Sequence, residues 1–340
     1  MALSFRIRSV DVSPGVVLAP MEGVTDLTFR RLVRQIGGAG LTCTEFIASE
    51  GLRRGEGRIL QMAEFDPDEN PISIQIYGRR PEAMAEAAQV VESLGATICD
   101  INMGCPSKKV CAHSGGSGLL REPALALDIV KAVRKAIRIP LTVKMRTGYD
   151  PQHRNAPDLA HAFQEEGVEA ITIHWRTKVD LYGGVRDVRP IAEARRRLRI
   201  PLIANGDVVD LASARQMLDE TGADGVMVGR GAIRNPWALR QIAEGLAGLP
   251  QTQPTPAERR RVLLGYLDAL RPRFATEHGC LGRFKKIANH FTAGLPEGET
   301  RLRTPILRSQ SIAEAVDHTE AYFGWLQQGG ATDDAPQVHS

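Results

Sequence analysis

Eight short apolar runs, separated by amphipathic stretches, constrain the fold of this chain more than any other feature. The runs are Val16–Met21, Leu41–Phe46, Ile72–Tyr77, Thr97–Asn102, Leu141–Arg146, Ala170–Trp175, Pro201–Asn205 and Gly225–Gly229. Each is nearly continuously apolar, the pattern of a strand buried on both faces. Helical periodicity fills the gaps. Met84, Ala88, Val91 and Leu94 recur along one side of Pro81–Leu94, with Pro81 suited to a first turn and Gly95 to a helix end. Ile129, Val130, Val133 and Ile137 repeat the pattern, and Pro157 opens another helix that Gly167 closes. Eight β–α units with short links predict an α/β fold, a closed parallel TIM (β/α)8 barrel. The rival is an open doubly wound sheet, which usually announces a phosphate loop early, and none is visible here.

The texture changes near Leu249. Gln251–Pro256 is polar and proline-containing, and three helical stretches follow, Pro256–Arg271, Gly279–Thr292 and Ser311–Leu326, with no strand between them. Residues 1–249 are therefore expected to form the barrel, 250–328 a small all-α domain, and 329–340 a disordered tail. With 340 residues the chain is long enough for both domains. No apolar run approaches a membrane span, and Met1–Val10 lacks the apolar centre of a signal peptide, so a cytoplasmic location is expected. A net charge of +3 does not by itself imply nucleic acid. The five cysteines include no C-x-x-C pair, so neither a disulfide framework nor a metal site is expected.

In a barrel the C-terminal ends of the strands build the site. Here those ends carry Pro20-Met21-Glu22, Glu45, Gln75, Asp100 and Asn102 followed by Cys105, Lys144 and Arg146, His174 and Arg176, Asn205-Gly206-Asp207, and Gly229-Arg230-Gly231. Any one of these has an ordinary structural explanation, such as an ion pair or a satisfied backbone group. A ring of them at one end is harder to assign to packing, because buried charges must converge on a ligand or on each other. Barrels often bind phosphate after strands seven and eight. The glycines of Asn205-Gly206-Asp207 and Gly229-Arg230 let backbone N–H groups approach an anion, and Arg230 can add a charge-assisted bond. Asp207 is expected to cap the next helix or hold a sugar hydroxyl. Gly229-Arg230-Gly231-Ala232-Ile233-Arg234 begins like a dinucleotide fingerprint, but its sixth position is Arg234 and no open-sheet unit follows. A phosphate site, a lysine and a glutamine in one pocket suit flavin mononucleotide, FMN. Gln75 can bond the pyrimidine edge and Lys144 can place positive charge near N1 and O2.

These residues resemble a known family. Ala19-Pro20-Met21-Glu22-Gly23-Val24-Thr25-Asp26, Asp100-Ile101-Asn102-Met103-Gly104-Cys105-Pro106-Ser107-Lys108-Lys109-Val110, Val143-Lys144-Met145-Arg146, His174-Trp175-Arg176-Thr177, Asn205-Gly206-Asp207 and Val228-Gly229-Arg230-Gly231 are similar to segments of the bacterial tRNA-dihydrouridine synthases, the B-type subfamily most of all. The resemblance covers the barrel and continues more loosely into Arg283–Pro296. It implies an FMN-holding barrel and a helical domain that helps grip tRNA, with NADPH or NADH as reductant. It places Pro20, Met21, Glu22, Gln75, Lys144, Asn205, Gly206, Asp207, Gly229 and Arg230 at flavin-binding positions, His174 beside the flavin, and Cys105 as the catalytic acid. The stretch Cys111–Gly118 departs from related sequences in being richer in glycine.

Reducing the uracil 5,6 double bond takes a hydride at C6 and a proton at C5. Cys105, on a turn set by Gly104 and Pro106 after the fourth strand, suits the proton donor. Asn102 is expected to meet the substrate. Lys108, Lys109, Arg146, Arg176 and Lys178 on the barrel, and Arg271, Arg273, Arg283, Lys285 and Lys286 on the helical part, are candidate RNA contacts. The run Arg259-Arg260-Arg261 reads better as a solvated face. The alternatives are an FMN barrel enzyme acting on a free pyrimidine or small enone, a non-catalytic tRNA-binding barrel, and a flavin-free phosphate-binding isomerase.

Overall fold

The computed structural model describes residues 3–107, 110, 115–291 and 295–328. Lys108, Lys109, Cys111 and the tail 329–340 lie outside these residues. The chain forms two compact units: one from Met1–Ala232 with Trp237–Gln251, the other from Ile233–Pro236 with the residues from Thr252 onward.

The first unit begins with a hairpin, β1 (Phe5–Ile7) paired antiparallel with β2 (Val10–Val12). Eight parallel strands follow: β3 (Val16–Leu18), β4 (Leu41–Ala48), β5 (Ile72–Tyr77), β6 (Ile98–Met103), β7 (Leu141–Arg146), β8 (Ala170–His174), β9 (Leu202–Asn205) and β10 (Gly225–Val228). They close into a barrel in sequence order, with β10 returning to β3. This is the (β/α)8 fold that the periodicity predicts. Helices such as Pro81–Ser93 and Pro123–Ala136 cover the outside, each with proline in its first turn.

The hairpin was not visible in the sequence, because each strand is three residues long and carries a charge. Arg6 and Asp11 face each other across it, with Nε donating to Oδ1 at 2.6 Å. Its apolar side, Ile7 and Val12, packs with Leu41, Ile98, Ala170 and Ile203 from the N-terminal ends of barrel strands. The hairpin thus floors the barrel at one end and leaves the other end to the polar residues. A cavity of about 500 Å³ lies at this floored end, lined by Arg8, Arg134, Ile137, Arg138, Gly167 and Glu169. Glu169 pairs with Arg134 at 3.1 Å and with Arg8 at 3.6 Å, so the charges there serve the fold.

The strands also alternate more than their composition suggests. Along β7, Leu141, Val143 and Met145 fall on one face while Thr142, Lys144 and Arg146 fall on the other, the period of two that separates outside from inside. The loop after β3 is held by a buried ion pair. Arg30 Nε donates to Glu69 Oε1 at 2.7 Å, and its other nitrogens donate to the carbonyls of Thr25 and Glu64. Glu69 also accepts from Thr42 Oγ1 on β4 at 2.9 Å. Thr25 Oγ1 in turn accepts from Met21 N, which fixes the Pro20–Glu22 segment.

Among its described residues the second unit holds helices and no strand. Its three main helices are Pro256–Leu270, Glu277–Phe291 and Ile312–Gln327. A capping box between Thr255 and Glu258 starts the first, and Ser311 caps the third. The stretch between the second and third, left unassigned by periodicity, winds into Glu299–Arg303 and Thr304–Arg308. Leu263, Leu267, Phe284, Phe291, Leu302, Ile306 and Phe323 are buried within this unit.

Removing the acid of the buried Arg30 pair strands a charge without a partner. Glu69→Gln is therefore expected to lower stability by about 3–5 kcal/mol in urea unfolding. A loss below about 1 kcal/mol would show that the pair does not anchor the loop.

Candidate active site

The open end of the barrel is built around Asp100. This side chain is 6 % exposed and accepts from Gln75 Nε2 and from Thr142 Oγ1. Gln75, wholly buried, accepts in turn from Asn102 Nδ2 at 2.7 Å. Asn102 Oδ1 then accepts from the backbone N–H of Gly104 at 3.0 Å and of Cys105 at 2.9 Å. Strand register makes this geometry possible: Gln75 lies opposite Asp100, and Asn102 opposite Lys144.

Burial pushes the Asp100 carboxyl up to about 6, although its two hydrogen bonds and the nearby Lys144 oppose the shift. Burial, with Arg146 adding to it, brings the Lys144 amine down to about 8. His174 is held well below the usual imidazole range, first by burial and then by Lys144, Arg146, Arg176 and Arg230. It is neutral at physiological pH, so one ring nitrogen can accept and the other donate.

Cys105 is half-buried on the loop after β6, whereas Cys43, Cys99 and Cys280 are buried. Its carbonyl accepts from Ser117 Oγ at 2.8 Å and Ser117 N at 3.1 Å. Gly116, at φ +55°, lies so close that a Cβ there would stand 2.8 Å from the Cys105 carbonyl. The loop is thus held on both sides, by Asn102 and by Ser117. Desolvation raises the neighbouring Tyr77 phenol. Thr142, Ser117 and Tyr77 are members of this site that the sequence reading missed. Their hydroxyls carry no motif: strand register sets Thr142 opposite Asp100, and the turn Gly116–Arg121 carries Ser117 to the Cys105 carbonyl.

The opposite rim is an ion-pair cluster. Arg176 Nη2 and Nη1 reach Asp207 Oδ2 and Oδ1 at 2.6 and 3.2 Å, and Arg230 Nη2 reaches Asp207 Oδ1 at 2.8 Å. Asp207 therefore bridges two arginines and does not cap the next helix. That role falls to Asp210, which forms a capping box with Ser213. Asp207 takes a left-handed backbone at φ +54°, next to Gly206 at φ +115°. A Cβ on Gly206 would come within 2.4 Å of the Trp175 ring, so only glycine fits. Gly229 is different: a Cβ there would meet nothing closer than Ala19 Cβ at 3.6 Å and Met21 Sδ at 3.8 Å. Gly206, Asp207 and Gly229 place backbone N–H groups at the C-terminal ends of β9 and β10, beside Arg230. Asn205 is buried, and its Nδ2 donates to the Met227 carbonyl at 2.8 Å.

Two arginines sit deeper than expected for RNA contacts. Arg146, 2 % exposed, donates to the carbonyls of Gly104, Thr177 and Leu181. Arg176, 5 % exposed, donates from Nε to the Gly183 carbonyl and stacks 4.0 Å over the Trp175 ring. Both guanidiniums brace the loops around the mouth. Glu22 is exposed and Pro20 and Met21 are half-buried beside it. Glu45 accepts from the backbone N–H of Gly23, tying β4 to this loop. Lys178 donates to Tyr149 Oη at 3.3 Å. In the second unit Lys285 donates to the Ser309 carbonyl, Arg283 is half-buried and Lys286 is exposed. Arg260 forms a two-point ion pair with Glu320.

The raised Asp100 carboxyl makes stability depend on pH. Its folded value, about 6, lies above the ordinary 3.8, so the folded chain binds this proton more tightly and stability is lost as pH rises between the two values. Compared with Asp100→Asn, the unmodified protein should lose on the order of 3 kcal/mol across that window in urea unfolding at a series of pH values. A difference that stays flat with pH would contradict the buried carboxyl.

The dihydrouridine synthase (Dus) family profile matches residues 17–321. A protein of Rhodobacter capsulatus named as a probable tRNA-dihydrouridine synthase is 44% identical over 247 residues, covering 72% of this chain and 76% of its own. One from Rickettsia prowazekii with the same name is 39% identical over 317 residues, 91% of this chain and 96% of its own. The tRNA-dihydrouridine synthase B of Xanthomonas axonopodis pv. citri is 41% identical over 275 residues, 81% of this chain and 82% of its own. With a closed barrel, an Asn-x-Gly-Cys-Pro loop at its mouth and a match that runs through both units, the chain belongs to the dihydrouridine synthase family.

Proposed function

We propose that this protein reduces uridine in tRNA to dihydrouridine, with Cys105 as the proton donor. The observation that carries the reading is the half-buried Cys105 on a loop held by Asn102 and Ser117 at the open end of the barrel, in a chain of this family. A cysteine thiol carries its proton at neutral pH, and at this mouth it can deliver that proton to C5 of a pyrimidine. Asn102, with one amide N–H still available, and the neutral His174 can hold the base's polar edge.

The residues present fit FMN. Backbone N–H groups of Asp207 and Gly229 lie at the ends of β9 and β10, where the exposed Arg230 adds positive charge, a donor set for a phosphate. Gly229 leaves room for a group in ordinary contact with Ala19 and Met21. Gln75 and Lys144 supply an amide and an amine to a flavin ring, with Asn205, Gly206 and Asp207 shaping the phosphate corner and Glu22 at the rim. When bound, FMN supplies the hydride to C6 after reduction by NADPH or NADH. Lys144, with its pKa brought to about 8, is still mostly protonated at neutral pH and can balance negative charge on a reduced ring.

A uridine stacked in folded RNA must be turned out to enter such a mouth, at a cost of a few kcal/mol. Phosphate contacts offset this. Arg283, Lys285 and Lys286 of the helical unit are the proposed contacts there, with Lys286 the most exposed of the three. Arg146 and Arg176 contribute by holding the mouth in shape. The reading places the protein in the cytoplasm with its RNA.

Cys105→Ala tests this directly. The variant should keep its yellow colour near about 450 nm, as flavin retention requires, while turnover on tRNA falls by about 10² or more. Folded tRNA should be a far better substrate than free uridine for the unmodified protein. Undiminished turnover in the variant, or equal rates on the free nucleoside, would overturn the proposal.

A further inference from the structure

The hydrogen bonds between Asp100 and Cys105 run in one direction only. Asn102 presents one side-chain atom to two backbone donors, Gly104 N at 3.0 Å and Cys105 N at 2.9 Å. An atom facing two donors must be the carbonyl oxygen, so the amide nitrogen of Asn102 faces Gln75. Gln75 must answer with its own oxygen, at 2.7 Å, and therefore turns its nitrogen to Asp100. Asp100 must accept there, and it also accepts from Thr142. Reversing any amide would set donor against donor, or acceptor against acceptor, inside a closed barrel. Such a mismatch is costly where water cannot relieve it.

We propose that Asp100 is a positioning residue for Cys105: its carboxylate sets the polarity of Gln75 and then Asn102, and this chain ends on the backbone of the thiol's loop. The consequence for the reaction rests on the function proposed above, but the chain itself is a property of the fold. Lys144 on β7 and the thiols of Cys43 on β4 and Cys99 on β6 act electrostatically with the same carboxylate, and Lys144 favours its charged form. Asp100→Asn alone is expected to be mild, because Thr142 Oγ1 can accept from the new amide while the remaining oxygen still accepts from Gln75. Asn102→Asp is not mild. It sets a carboxylate oxygen against Gln75 Oε1, and flipping Gln75 only moves the mismatch to Asp100. A proton on either carboxyl repairs it.

The test is to exchange the two side chains. In Asp100→Asn with Asn102→Asp, the new amide donates to Gln75 Oε1, Gln75 Nε2 donates to the new carboxylate, and that carboxylate still accepts from Gly104 and Cys105. The whole chain is reversed with every donor met. Hydrogen exchange at the Gly104 and Cys105 amides, and alkylation of Cys105 by iodoacetamide read by peptide mass, report the loop without requiring turnover. At pH 8, Asn102→Asp should raise both by about tenfold over the parent at the same pH, and the excess should vanish near pH 5. The double exchange should bring both back to within about threefold at pH 8. If Asn102→Asp does not fold, recovery of folding in the double exchange supports the chain, and failure of both overturns it. A double variant as loose as Asn102→Asp, or a single variant no looser than the parent, also overturns it. Failure of the proposed function would show separately, as absent turnover in the unmodified protein with this loop behaviour intact.

Discussion

Placing a carboxylate inside a parallel barrel is costly unless its oxygens are met, and the site of this protein is arranged around one that is. Asp100 accepts from one neighbouring strand through Gln75 and from the other through Thr142. Asn102 and Lys144 lie two residues further along their strands, toward the open end. A barrel filled by aliphatic layers at this height would be more stable and would have no polar chemistry to offer. The polar interior is affordable because apolar packing is concentrated below it, where the β1–β2 hairpin seals the opposite end with Ile7 and Val12.

The mouth then divides into two sides with different means of support. On the thiol side, side-chain amides and a serine hydroxyl hold the backbone of the Cys105 loop. On the phosphate side, Asp207 joins Arg176 and Arg230 into one network, and Gly206 packs its backbone against Trp175. The network leaves Arg230 exposed and Arg176 buried, so one arginine remains available to an anion while the other is a brace. His174 lies among these cations and is neutral for that reason as well as through burial.

Much of this was legible from the chain alone. Eight apolar runs specify eight strands because a parallel barrel buries both faces of each. The positions of Gln75, Asn102, Lys144, His174 and Asn205 at strand ends identify the polar mouth before any geometry. Partner choice was not legible. Asp207 and Asp210 are both acids ahead of the same helix, and only the backbone path decides that Asp210 caps while Asp207 turns to the arginines. Arg146 and Arg176 look like RNA contacts by charge, yet loop carbonyls close over them. The hairpin escaped because its core contribution is two residues, Ile7 and Val12, too few to register as periodicity. Asp100 stood in the strand, but its role depends on the register that puts it beside Gln75 and Thr142.

The proposed reaction joins these parts into one claim, that a pyrimidine of folded tRNA is reduced between the thiol side and the phosphate side of this mouth. Mass spectrometry of a tRNA lacking dihydrouridine, after incubation with the flavin-loaded protein and NADPH, tests it most directly. The account predicts a gain of about two mass units at a uridine. Oxidation of NADPH with the tRNA mass unchanged would contradict it.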